Sequence, residues 1–293
     1  MTDSCCGPAS DSETSLVQQM VYFYILEAFP RLGRPPSVDE MQRDLFLPCE
    51  RIASILDSLA AEGALRFGPV PCMILDAYPY SAVPTRHRVH LREGRQLYCM
   101  CAVDSFYVPF LTGLDVRIRS ECFQCRSAIE VAVEGGRITS AEPGDSVVWS
   151  SASSYDCPMT NFFCCKDHLL QWQETVPDEQ GRLLTLPEAL EAGRKAAERI
   201  TQSRQRFNDI LWAEAQQLVC YCRQVPKATI VAAIAKGASS AEEIARDTTA
   251  CTGAWCEDTN PRGRCCCTEL QALIEAYSYK LRGGSEDKRG RNH

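Results

Sequence analysis

Positive charge is in deficit. Lysine and arginine total 31 against 38 aspartates and glutamates, a formal net charge of -7. Nothing in that balance attracts a polyanion, so nucleic acid is not an expected partner. Long apolar runs are also lacking. No stretch reaches the ~20 residues that a bilayer-spanning helix needs, so no membrane partner is expected either. Residues 1–8 (MTDSCCGP) contain neither a basic segment nor an apolar one. A secretory leader is therefore not expected, and a reduced, cytoplasmic setting is. What the chain has in excess is cysteine: 18 in 293 residues. In a reducing compartment these are read as ligands or nucleophiles rather than disulfides. With 45% hydrophobic residues, a chain of this length can bury one large core or two.

The pattern along the chain predicts an α+β protein. Residues 1–15 read as a flexible tail that carries the pair Cys5-Cys6, a plain surface pair or a flexible metal-catching one. Residues 16–80 outline a winged helix: an apolar helix from Leu16 to Phe29, broken at residues 31–36 (RLGRPP), then a capped helix and a second one. Ser37 and Glu40 have capping-box spacing. Ile52, Ile55, Leu56 and Leu59 mark one face of the second helix, which Gly63 closes before a short strand from Ala64. That helix carries Glu50, Arg51, Asp57 and Glu62, a poor match to phosphate, so its expected role is structural.

Residues 81–210 read as a mixed or antiparallel sheet with helices. His87 and His90 lie on one predicted strand three apart, hence on opposite faces, and are expected to be structural. Pro109 predicts a kink or an end. Strands are expected at 117–122, 129–133 and 146–149, with a hairpin at Gly135-Gly136 and a loop at Ser150 to Ser154. A helix is expected through Asp167, His168 and Trp172, and one or two more from Leu186 to Val219. Cys122 and Cys125 form a C-x-x-C resembling half a zinc knuckle, with no evident other half. Buried structural thiols are the preferred reading there. Residues 218–282 form a small, mostly helical second domain, and 283–293 read as a disordered tail.

Two stretches carry chemistry. The first is Cys99-Met100-Cys101-Ala102-Val103-Asp104. If it is helical, Cys101 and Asp104 share a face at i, i+3. The second is Cys164-Cys165, within residues 161–165 (NFFCC). Thiolates select soft metals, mercury among them. Two thiols and a carboxyl suffice to break a metal–carbon bond. One thiolate attaches to the metal, a second raises its coordination, and an acid at hydrogen-bond reach protonates the carbon. The two stretches are expected to meet in the fold.

These residues resemble the alkylmercury (organomercurial) lyase family over about residues 16–205. Residues 98–104 are similar to its Cys-Ala-x-Asp segment and 161–165 to its Phe-Cys-Cys segment. The resemblance implies protonolysis of carbon–mercury bonds in mercury detoxification, with no cofactor needed for the step. Cys101 would attack, Asp104 would shuttle the proton, and Cys164 would be the second mercury ligand. Cys165 would have a lesser role, and Cys122 would match a structural cysteine. Cys99 and Cys125 are thiols that the family does not require. The implied partners are the organomercurial substrate and small thiols or a mercuric-ion reductase that takes Hg(II); a redox partner is an expectation for the C-terminal domain alone.

The C-terminal cysteines have a resemblance of their own. Cys220-Tyr221-Cys222, Cys256 and the Cys265-Cys266-Cys267 run are similar to the bacterioferritin-associated-ferredoxin type of [2Fe-2S] domain, closest to the variant at the front of some copper chaperones. The pattern implies ligation by Cys220, Cys222, Cys256 and Cys266, with Cys251, Cys265 and Cys267 as rivals and zinc as the alternative occupant. A metal sensor, a metal-trafficking protein and a lyase acting on another organometal are the competing readings. Asp104 separates the enzyme from a carrier, because a carrier has no use for the acid.

Overall fold

A computed structural model describes residues 16–70, 72–152 and 157–283. Cys5-Cys6 and the tail after residue 283 lie outside these residues. The fold is mixed α and β, with every strand pairing antiparallel. The chain divides into two compact units. Of the described residues, the first comprises 25–36 and 56–203, and the second comprises 16–24, 37–55 and 204–283.

Helix α1 runs Leu16–Leu32, beyond the expected end at Phe29. Pro30 does not stop it; Gly33, at positive φ, closes the last turn by donating its N–H to Phe29 O. Helix α2 (Val38–Leu45) has the expected capping box: Ser37 accepts from Glu40 N, and Glu40 accepts from Ser37 N. Helix α3 (Cys49–Ala61) ends at Gly63, φ 76°. Strands β1 (Leu65–Phe67) and β2 (Ile74–Ala77) follow as an antiparallel pair.

In the first unit, β3 (Tyr80–Ser81), β4 (His87–Leu91), β5 (Gln96–Cys99), β6 (Val116–Glu121), β7 (Ala128–Glu134) and β8 (Arg137–Glu142) join β1 and β2 in one sheet. Its order is β1-β2-β3-β5-β4-β6-β7-β8. Two short helices, α4 (Ala102–Ser105) and α5 (Val108–Thr112), sit between β5 and β6, and Pro109 falls in the first turn of α5. Burial alternates along β6, where Val116, Ile118 and Ser120 point inward. The Gly135-Gly136 turn has φ of 55° and 73°, the left-handed pair that a tight hairpin requires.

A second, three-stranded sheet of β9 (Val147–Ser151), β10 (Asn161–Phe163) and β11 (Gly181–Thr185) has the order β10-β9-β11. Ser150 and Ser151 lie on β9 rather than in the expected loop. They pair with Arg182 and Gly181, and this pairing outweighs the weak strand propensity of serine. Helix α6 is Lys166–Thr175 and α7 is Leu186–Gln205. The helical pattern expected as far as Val219 stops at Gln205. Val219 lies instead on β12 (Leu218–Cys220), which pairs with β13 (Val225–Pro226).

The second unit adds α8 (Lys227–Ala235), α9 (Ala241–Thr248, capped by Ser240), α10 (Cys256–Thr259) and α11 (Cys267–Gly283). Its interior holds a fully buried lysine, Lys227, whose Nζ donates to the carbonyls of Asp44, Leu211 and Ala213 at 2.8–3.0 Å. No strand or helix periodicity announces such a residue.

Gly193 matters most for the placement of the short α4. A Cβ there would lie 2.6 Å from the carbonyl carbon and oxygen of Phe106, the C-cap of α4. Only a hydrogen fits between α7 and that backbone. The Gly193→Ala substitution is expected to cost about 1–3 kcal/mol by overpacking, against the small gain alanine usually gives inside a helix. A lowered urea midpoint at unchanged slope is the expected result, and an unchanged midpoint would show that α7 and α4 can move apart freely.

Candidate active site

Strand β5 ends at Cys99, and the chain then turns into α4 with Cys101 as N-cap. Cys101 is extended (φ -146°, ψ 176°), and its Sγ accepts the N–H of Asp104 at 3.4 Å. The thiol thus sits where serine or aspartate normally caps a helix. Capping therefore links the two residues, and both are buried. Ala102 N donates to Thr160 O at 3.1 Å, which fastens α4 beside the start of β10. The rings of Phe106 and Phe162 pack at 5.8 Å, so the two chemistry-bearing segments do meet.

Their thiols, however, are grouped otherwise than expected. Cys101, Asp104 and Cys157 form one set, their ligand atoms within 4.8 Å of one another. Cys157 Sγ lies 3.9 Å from Asp104 Oδ2. Cys164 belongs instead to a second set with Cys122, Cys125 and His168. Cys165 is in neither set; it is the N-cap of α6, and its side chain caps nothing. Cys99 is buried, and that burial, reinforced by the nearby Asp104, pushes its thiol well above the usual range. It is a protonated wall of the site rather than a second thiolate.

Burial raises the Asp104 carboxyl to about 7, although hydrogen bonds involving Cys101 pull the other way. A carboxyl poised near neutral pH can hold a proton and release it, as general acid catalysis requires. A cleft of about 740 Å³ opens against Val103, next to Asp104 on α4, and Tyr107, the N-cap of α5, and is walled by Ser151, Gln180, Glu188 and Lys195. His87 has no part in this chemistry. It is buried against Ser120 Oγ (3.1 Å) and Phe162, and burial lowers it to about 3, so it stays neutral. His90 on the other face of β4 is partly exposed, so the expectation of opposite faces holds.

Two members of these sets were not selected from the sequence. His168 could have been: Cys164 and His168 have C-x3-H spacing, the missing half of the C-x-x-C motif. Cys157 could not, because only the pairing of β9 with β10 carries it back to Asp104.

In the second unit, Cys220 and Cys222 have their Sγ atoms 3.6 Å apart, and Cys222 and Cys256 theirs 4.0 Å apart. Cys266 is buried, and its thiol is raised first by that burial and then by neighbouring Cys220. Cys251, Cys265 and Cys267 make a separate set, with distances of 3.0–3.5 Å.

Known proteins bear on this arrangement. The alkylmercury lyase (MerB) family model matches residues 80–198. The alkylmercury lyase of Staphylococcus epidermidis is 29% identical over 178 residues, 58% of this chain and 79% of that protein. That of Bacillus cereus is 29% identical over 179 residues, covering 59% and 78%. That of Pseudomonas putida is 23% identical over 184 residues, covering 60% and 82%. A crystal structure of the mercury-bound form of MerB2 shares the fold, with a TM-score of 0.53 at 22% identity, over 63% of this chain and 98% of that one.

Burial of the Asp104 carboxyl has a stability signature. Its pKa is raised from about 3.9 unfolded to about 7 folded, so its contribution is fully present below pH 4 and is lost as pH rises through 7. The Asp104→Asn variant lacks this titration. Relative to wild type it is expected to gain up to about 4 kcal/mol between pH 4 and pH 8 in urea denaturation. A difference independent of pH would mean that the carboxyl is ionised in the folded protein already at pH 4.

Proposed function

We infer that this chain is an organomercurial lyase of the alkylmercury lyase family, which cleaves carbon–mercury bonds to a hydrocarbon and thiol-held Hg(II). The observation that carries the reading is the buried carboxyl of Asp104, tuned to about 7 and flanked by two thiols, Cys101 and Cys157.

In this reading ionised Asp104 takes the proton of the Cys101 thiol, the sulfur displaces X from R–Hg–X, and X leaves with that proton as HX, so that Asp104 is free to act again. A second thiol then binds mercury. Its proton passes through Asp104 to the metal-bound carbon as the C–Hg bond breaks. The bonding electron pair stays with carbon, R–H leaves, and mercury remains Hg(II) between two sulfurs. Nothing is oxidised or reduced, so the step needs no cofactor. The family motif assigns the second thiol to Cys164. A second reading assigns it to Cys157, and what favours that is its 3.9 Å approach to Asp104. Cys99 and Cys165 are auxiliary.

Small thiols or a mercuric-ion reductase would take the Hg(II). We place the reaction in the cytoplasm; no helix among the described residues is long and apolar enough to cross a membrane. The finer layout we propose is a winged-helix-like region at 16–80, a lyase core at 81–210 and a small helical domain at 218–282.

That last domain we propose as a [2Fe-2S] carrier. The short Cys220–Cys222 and Cys222–Cys256 distances and the buried Cys266 suit four thiolate ligands. The cluster would supply one-electron transfer, which protonolysis does not use, so its service would be to a redox partner or to keeping the site thiols reduced.

The first test is methane release from methylmercury under anaerobic conditions with excess small thiol. Wild type is expected to release methane, Asp104→Asn to bind mercury with turnover down at least about 100-fold, and Cys101→Ser to lose capture and turnover together. Mercury bound by wild type with no methane would refute the enzyme reading and favour a carrier. The parallel pair Cys157→Ser and Cys164→Ser reads the second thiol, which is the one whose loss abolishes single-turnover methane release. For the C-terminal domain, about two irons and two sulfides per chain are expected, both lost in Cys220→Ser; zinc in their place would refute the cluster.

A further inference from the structure

The second thiol set is built like a metal site, and the lyase chemistry accounts for only one of its members. Cys122 and Cys125 lie on the turn between β6 and β7. That turn is fixed by Cys122 N donating to Ser127 O at 2.8 Å and Arg126 N donating to Cys122 O at 2.9 Å, with Arg126 left-handed at φ 66°. Cys164 and His168 straddle the junction of β10 with α6. Phe123 N donates to Phe162 O at 2.9 Å and so holds the two halves in register. Cys164 Sγ lies 3.8 Å from Cys125 Sγ and 3.0 Å from His168 Nδ1, and Cys122 Sγ lies 3.8 Å from the same nitrogen.

These distances can be compared with a tetrahedron. Zn–S bonds of about 2.3 Å and Zn–N bonds of about 2.05 Å give S···S edges of about 3.8 Å and S···N edges of about 3.6 Å. The one S···S distance matches, and the two S···N distances bracket the expected edge. The ligand spacing C-x2-C and C-x3-H is that of structural zinc sites. Three thiolates and one neutral imidazole would leave a net charge of -1 around a divalent ion. The guanidinium groups of Arg86 and Arg126 stand 4.5 and 5.7 Å from the Phe123 ring centroid, beside the ligand turn, and both can offset it. Behind the turn, Phe123, Phe163 and Trp172 close a ring cluster with centroids 5.3–6.1 Å apart. All four ligands lie within the first compact unit.

We propose that Cys122, Cys125, Cys164 and His168 form a tetrahedral site of three sulfurs and one nitrogen for a divalent d10 cation, zinc, which ties the β6–β7 turn to the start of α6. The site is separate from the Cys101–Asp104–Cys157 set, and it has a consequence for that set. With Cys164 engaged by the ion, the second mercury thiol of the lyase reading falls to Cys157.

The test is the metal content of the full chain, produced without mercury in zinc-containing medium and purified anaerobically, compared with Cys125→Ser and His168→Gln. Wild type is expected to hold about one more zinc per chain than either variant. X-ray absorption at the zinc edge is expected to give a shell of three sulfurs near about 2.3 Å and one nitrogen near about 2.05 Å. Wild type without zinc, zinc undiminished in both variants, or an all-sulfur shell would each overturn the proposal. If either variant fails to fold, the wild-type shell alone decides. Methane release is read in the same samples, so loss of the metal site and loss of the lyase reading are told apart.

Discussion

The constraint on which this arrangement depends is the burial of one carboxyl. Asp104 is 2% exposed, yet among the described residues no cation pairs with it; its neighbours are the thiols of Cys101 and Cys157, backbone, and the like-charged carboxyl of Asp76. A carboxylate in such a place is costly, and that cost raises the group to about 7, where it can both take up and release a proton near neutral pH. That requires a rigid, dry enclosure. The Cys101 cap, the anchor from Ala102 to Thr160, the packing of Phe106 on Phe162 and the close passage of Gly193 together supply it. A four-residue helix has almost no stability of its own, so these tertiary contacts hold the acid in place.

Strand β10 connects the two thiol sets of the first unit. Thr160, just before it, supports α4 and so the Cys101–Asp104 pair, and Cys164, just after it, belongs to the four-ligand set. A displacement of this strand would reach both. The short sheet β10-β9-β11 thus does more for function than its size suggests, since β9 also leads towards Cys157. Mercury chemistry suits such a layout, because a soft ion passes between thiols by exchange and needs several within a few ångströms.

Much of this was legible from local signals. The Ser37–Glu40 box, the Gly63 stop and the Gly135-Gly136 hairpin each depend on neighbours within four residues, and each formed as the spacing implied. The Cys101–Asp104 pairing was legible for the same reason, with capping rather than helical stacking as its basis. Where long-range pairing competes with local preference, local signals failed. Ser150 and Ser151 became strand because β11 lies alongside.

The sequence by itself determined the kinds of atoms available: soft sulfur in excess, the Cys101–Asp104 pair three residues apart, and the motifs that resemble alkylmercury lyases. Those are properties of residue type and short spacing, and they survive without a fold. Only the tertiary structure decided which sulfurs face which partners. Cys157 came to Asp104, and Cys164 went to Cys122, Cys125 and His168, because antiparallel register turns residues distant along the chain into neighbours. Register is set by burial summed over whole sheets, and no single motif encodes that sum.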